Sequence, residues 1–212
     1  MTANAAGTTA PDTATDAPVS GAVPKVRHET FTVDIHLPAP ASAVFEAFAD
    51  TPVRRRWFKM PGRQEAYHHE FTVNGGETAS SVFTVPGAPP ERLAYASRYL
   101  DITSGARIVY AYTSCVDDVP RWSSLVTVEL RTEADGTHLK WTEQAAFLTP
   151  SAEPEHDFPH LRGATRLRLN GLASALTATG QDGELPGGNE HGADAGPSHL
   201  DERATGYLTN GS

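Results

Sequence analysis

The chain has 212 residues, 39% of them hydrophobic and 20% charged, and it carries a formal net charge of −9. That is enough chain for one ordinary core but hardly for two, and the acidic balance argues against nucleic acid or an anionic membrane as the main partner. A single cysteine, Cys115, rules out an internal disulfide and fits a reducing, cytoplasmic setting, where it reads as a small packing residue.

Residues 1–24 are almost wholly Ala, Thr, Pro, Gly, Asp, Val and Ser, without apolar periodicity. Residues 180–212 hold Asp182, Glu184, Glu190, Asp194, Asp201 and Glu202 against one Arg203. Both read as disordered tails around one domain at 25–179. Neither a secretion signal nor a run long enough to cross a bilayer is expected.

Within the domain, Phe31, Val33 and Ile35 alternate with polar residues, which predicts a half-buried strand closed by Pro38 and Pro40. Val44, Phe45 and Phe48 then give residues 41–49 a helical apolar face, and Thr51-Pro52 reads as an N-cap with proline at the first position of a second short helix ending near Trp57. The basic run Arg54, Arg55, Arg56 and Lys59 is read as a solvated face. Tyr67, His69, Phe71 and Val73 alternate up to the turn signal Asn74-Gly75-Gly76, and a further strand is predicted at 79–85. Four extended runs follow, at 93–102, 106–116, 123–131 and 137–147, joined by short polar or glycine-bearing links. Successive antiparallel strands are the natural reading.

The last element is a helix over 157–178. Leu161, Thr165, Leu169, Leu172 and Leu176 form one stripe at about 100° per residue. Asp157 is placed as the cap, Pro159 in the first turn and Gly180 as the stop, and the Ala164–Gly171 flank is small enough for close approach to a second surface. The order of elements predicts an α+β fold with its helices segregated from a curved antiparallel sheet. Such a sheet and a single long helix leave space between them that is packed by large side chains or kept as a pocket.

The sequence 44–50, Val-Phe-Glu-Ala-Phe-Ala-Asp, followed by Arg56-Trp57-Phe58, resembles the opening of the heat-shock ATPase activator homologue (AHSA-type) family of the START-like SRPBCC superfamily. The blocks at 74–76, 107–112, 126–130, 136–137 and 141–144 are similar to that family's, in its order, so the resemblance covers about residues 28–178. It implies a helix-grip fold, with the sheet wrapped around the C-terminal helix and a deep cavity between them. The link 148–156 and the proline-rich stretch 85–90 depart from the family pattern and border the expected mouth. The superfamily includes lipid and hormone binders, polyketide aromatase/cyclases and co-chaperone domains.

Alternation places Glu143 on the inward strand face with Leu139, Trp141 and Ala145. A desolvated carboxylate there can act as an acid or base, or it can simply pair with an inward arginine or tyrosine. Tyr110 and Tyr112 share one strand face and Tyr95 and Tyr99 another, as rows that suit a flat or apolar ligand. The expected cavity residues are Trp57, Phe58, His69, Phe71, Tyr95, Tyr99, Tyr110, Tyr112, Trp141, Glu143, Leu161, Thr165 and Leu169, with Glu143 and Tyr110 as the candidate catalytic pair. His156 and His160 have the spacing of a helical zinc pair, but Pro159 spoils the geometry and no metal or other cofactor is expected. Three readings remain open: a monomeric or homodimeric module binding a small hydrophobic or aromatic ligand, a cyclase- or aromatase-like enzyme, and a co-chaperone-like interaction domain.

Overall fold

A computed structural model of the chain describes residues 25–181, so the expectations for the two tails fall outside the described residues. Seven strands form one antiparallel sheet: β1 (Arg27–Leu37), β2 (Arg63–His69), β3 (Glu77–Phe83), β4 (Glu91–Thr103), β5 (Arg107–Val116), β6 (Val119–Glu133) and β7 (Gly136–Phe147). Their spatial order is β1-β7-β6-β5-β4-β3-β2. The chain therefore begins on one edge, crosses to the other through α1 (Ala41–Ala49) and α2 (Thr51–Trp57), and meanders back until β7 lies beside β1. Helix α3 (Pro154–Gln181) then packs against α1, α2 and β1. All three helices cover one face of the sheet, as the element order predicts.

The strand alternation is visible in the burial. On β1, Phe31, Val33 and Leu37 are buried, while Thr32 and Asp34 are not. On β7, Leu139, Trp141, Glu143, Ala145 and Phe147 face inward in unbroken register with β1, where Glu143 stands opposite Phe31 and Trp141 opposite Val33. The outer edge strand β2 is short, bulged between Gln64 and Ala66, and charged at its open end by Arg63 and Glu65, features that keep an unpaired edge from joining another sheet.

Most of the expected stripe of α3 is buried: Leu161, Thr165, Leu169 and Leu172 are each at most 2% exposed, and Leu176 is half-buried against the core. The small flank also meets a neighbour, since a Cβ on Gly171 would lie 3.5 Å from that of Trp57. Several boundaries differ from the sequence reading: β3 lies two residues earlier than 79–85, and β6 extends beyond 123–131 at both ends. Helix α3 starts three residues earlier, at Pro154, so Asp157 lies inside its first turn, where its side chain accepts from the Ser151 amide at 3.2 Å. Gly180 does not stop it, because the helix runs to Gln181. The cap of α2 is Asp50, which accepts from the Val53 amide at 2.8 Å, and Thr51 is the first helical residue, its hydroxyl engaged elsewhere. Strand β2 ends at His69, so Phe71 sits in the turn that follows. Its ring still faces inward, edge-on to Phe45 at 5.5 Å.

Candidate functional site

The residues expected to line a cavity between the sheet and α3 belong to one packed core. Trp57, Phe58, Tyr95, Tyr99, Tyr110, Tyr112, Trp141, Glu143, Leu161, Thr165 and Leu169 are all buried, and His69 and Phe71 are half-buried. The rings form a continuous series: Phe71 to Tyr99 at 5.0 Å, Tyr99 to Tyr110 at 5.8 Å and Tyr110 to Trp141 at 6.0 Å. A second branch runs from Phe58 to Tyr95 at 4.9 Å and on to Tyr112 at 5.0 Å. Most pairs are tilted or edge-on, the arrangement that aromatic quadrupoles favour.

Glu143 is wholly buried and is held by three neutral donors. The Tyr112 hydroxyl donates to Oε1 at 2.6 Å, and the Trp141 indole and the Thr165 hydroxyl donate to Oε2 at 3.0 and 3.4 Å. Trp122 in turn donates to the Tyr112 oxygen at 3.0 Å. One carboxylate thus ties β5, β6, β7 and α3 together. Burial first, and the neighbouring Glu143 charge second, push the Tyr112 hydroxyl far above its usual pKa, so it stays a proton donor. The candidate pair Glu143 and Tyr110 is not joined by a hydrogen bond: the tyrosine on Glu143 is Tyr112, two residues further along the same strand face. Tyr110 packs its ring against Trp141, and burial likewise raises its pKa well above the usual phenol value.

A second buried node was not expected from the sequence. Arg54, read there as part of a solvated basic run, is 1% exposed. Its Nη2 donates to Glu77 Oε2 at 2.6 Å and its Nε to Oε1 at 3.1 Å, while the Tyr67 hydroxyl donates to the same Oε1 at 2.6 Å. Arg55 and Arg56 are exposed, as the basic-run reading has it. The signal for Arg54 was its spacing: three residues before Trp57, it shares the buried face of α2. Glu77 alternates with the inward Ala79 and Ser81. Gly76 lets β3 start there, because any side chain at that position would run into the Ser97 carbonyl oxygen. Although burial would raise the Glu77 pKa, the Arg54 guanidinium and the hydrogen bonds from Arg54 and Tyr67 outweigh it and hold the carboxyl below its usual value.

His69 extends this node, its ring nitrogens hydrogen-bonding with Thr51 Oγ1 at 3.0 Å and with the Tyr99 hydroxyl at 3.1 Å. Burial lowers its pKa from the ordinary 6.5. The Arg54 guanidinium lies over the rings of Trp57 at 4.2 Å and Phe58 at 4.7 Å. Its Nη1 is buried without a hydrogen-bond partner.

The opposite face of the sheet carries a hollow of about 860 Å³, open to solvent, over Thr30, Ala96, Ala111, Thr113, Leu125 and Ala146. At one end of the sheet His36 meets Asp135 at 3.0 Å and Glu133 at 3.9 Å, an exposed ion-pair cluster unrelated to the His156 and His160 pair considered above. His156 instead pairs with Glu153 at 2.7 Å.

A curved antiparallel sheet gripping one long helix, with a buried aromatic and polar lining between them, defines a helix-grip protein of the START-like SRPBCC type. The model of the family described as activator of Hsp90 ATPase homolog 1-like protein matches residues 38–177, and the chain belongs to that family. An uncharacterized protein from Rhizobium leguminosarum shares 30% identity over 73% of this chain and 97% of its own, with a TM-score of 0.63. The Mll3558 protein from Rhizobium loti shares 36% identity over 71% of this chain and 99% of its own, with a TM-score of 0.57. Protein CV1439 from Chromobacterium violaceum, at 23% identity over 68% of this chain and 95% of its own, with a TM-score of 0.51, has a similar fold. No curated protein matches the chain. Among the described residues no helix is long and apolar enough to cross a membrane.

Proposed function

We propose that the chain binds a small, largely apolar or aromatic molecule between the inner face of the sheet and α3. The observation that carries this reading is a buried donor without an acceptor, Arg54 Nη1, set among aromatic rings. An unmet buried donor costs about 1–3 kcal/mol, and native proteins keep such groups where a ligand or an ordered water completes them. Rings supply the apolar contact and the donor fixes orientation, the usual division of labour in a small-molecule site.

Binding is favoured over proton-transfer catalysis because Glu143, the candidate general base, already receives three donors and because the buried tyrosines hold their protons firmly. In this reading Glu143 shapes the lining and touches no reacting atom. Thermal melts against a panel of aromatic and lipid-like compounds test the proposal. A ligand at about a hundred times its Kd adds about 2.7 kcal/mol, so true binders raise the midpoint by several degrees. A panel without a single shift, in a protein that melts cooperatively, contradicts it.

A further inference from the structure

Two cations lie over the Phe58 ring. Arg54 Cζ from α2 is 4.7 Å from its ring centroid, and Arg168 Cζ from α3 is 5.1 Å from the same centroid. Arg54 is matched by Glu77 but keeps a free Nη1. Arg168 is half-buried and has no carboxylate within ion-pair distance among the described residues. Its guanidinium lies over the buried Phe58 ring, and its charge bears on two interior tyrosines. Burial raises the Tyr95 hydroxyl pKa and Glu77 adds to this, while Arg54 and Arg168 pull it down; at Tyr112 burial and Glu143 act against Arg168. One buried donor there, Arg54 Nη1, has no acceptor, and the Arg168 charge has no carboxylate counterpart among the described residues.

We propose that the molecule held in this interior is an organic anion, a ring-bearing carboxylic or sulfonic acid, with its charged oxygens between Arg168 and the free Nη1 of Arg54 and its apolar body along Phe58 and Tyr95. This rests on the binding reading above and narrows it. Guanidinium suits the role because its planar fork of donors matches the two oxygens of an acid group. Arg168 is the specificity residue: a neutral ligand would leave its charge without a partner, whereas Arg54 keeps Glu77 in either case.

Two fluorescent probes of nearly the same shape separate the cases: 1-anilinonaphthalene-8-sulfonate, an anion, and N-phenyl-1-naphthylamine, which is neutral. Both are titrated into the full chain, into Arg168→Gln, and into Arg162→Gln as a control for an exposed arginine on the same helix. The anionic probe is expected to bind the unaltered protein about tenfold or more tightly than the neutral one. Arg168→Gln should remove that preference by weakening the anion alone, and Arg162→Gln should leave it in place. Equal binding of the two probes, or equal losses in the two variants, overturns the anion assignment while the binding reading stands. Binding of neither probe, with no shift in the thermal melts, overturns both.

Discussion

Arg54 and Glu77 show how much a single side chain's setting outweighs its type. Breaking a buried pair leaves the survivor charged and unmatched, which costs about 3–5 kcal/mol, whereas replacing both partners with apolar groups of similar size is often nearly neutral. Glu77→Leu is therefore expected to destabilise by about 3–5 kcal/mol in urea unfolding, and Arg54→Met/Glu77→Leu to recover most of that loss. A double variant no better than the single one would show that the pair is not the coupled unit described. The same node sets a pH dependence. His69 has its pKa depressed below 6.5 and Glu77 below 4.5, so in each case the unfolded chain binds protons first on acidification. The His69 contribution is complete above 6.5 and is lost as the pH falls from there to the folded value; the Glu77 contribution is complete above 4.5 and is lost below it. Unfolding measured at about pH 7.5, 5.5 and 4 should thus show two successive losses, and His69→Gln should remove the first. The inward parity of Glu143, and pairing with a tyrosine as one possibility, could be read from the sequence, but which tyrosine and the Thr165 donor could not. Tyr112 stands 31 residues away and Thr165 22, contacts that only the folded sheet and helix create.

Helix α3 is the element whose sequence says most about the fold. Leu169 is wholly buried, whereas Leu167, on the same helix, is 72% exposed. Leu169→Ala should cost about 2–5 kcal/mol and Leu167→Ala less than about 0.5 kcal/mol in the same unfolding assay. Similar losses at both positions would contradict the assigned face. The stripe was legible because the helical period repeats over many residues. The ends were not, because caps depend on single side chains whose partners lie outside the helix: Asp157 serves the Ser151 amide, and Thr51 serves His69. Strand β2 was overextended for a related reason. The aromatic alternation continues through Phe71, but β3 begins at Glu77 and pairs it with His69, so the ladder stops there.

At the scale of the whole molecule, the order of elements carried the fold. Short predicted links between four successive strands leave little but a meander, which ends with β7 paired to β1 at the edge of the sheet. The aromatic series and both carboxylate nodes lie beneath the helices, and the open hollow lies on the reverse of the sheet. Native mass spectrometry of the purified full chain, compared with the same sample denatured, tests the central claim most directly. An added mass of one small, acidic organic molecule is expected on the folded protein, either retained from the host or supplied as 1-anilinonaphthalene-8-sulfonate, released on denaturation and weakened by Arg168→Gln. A folded protein that stays bare in both cases would contradict it.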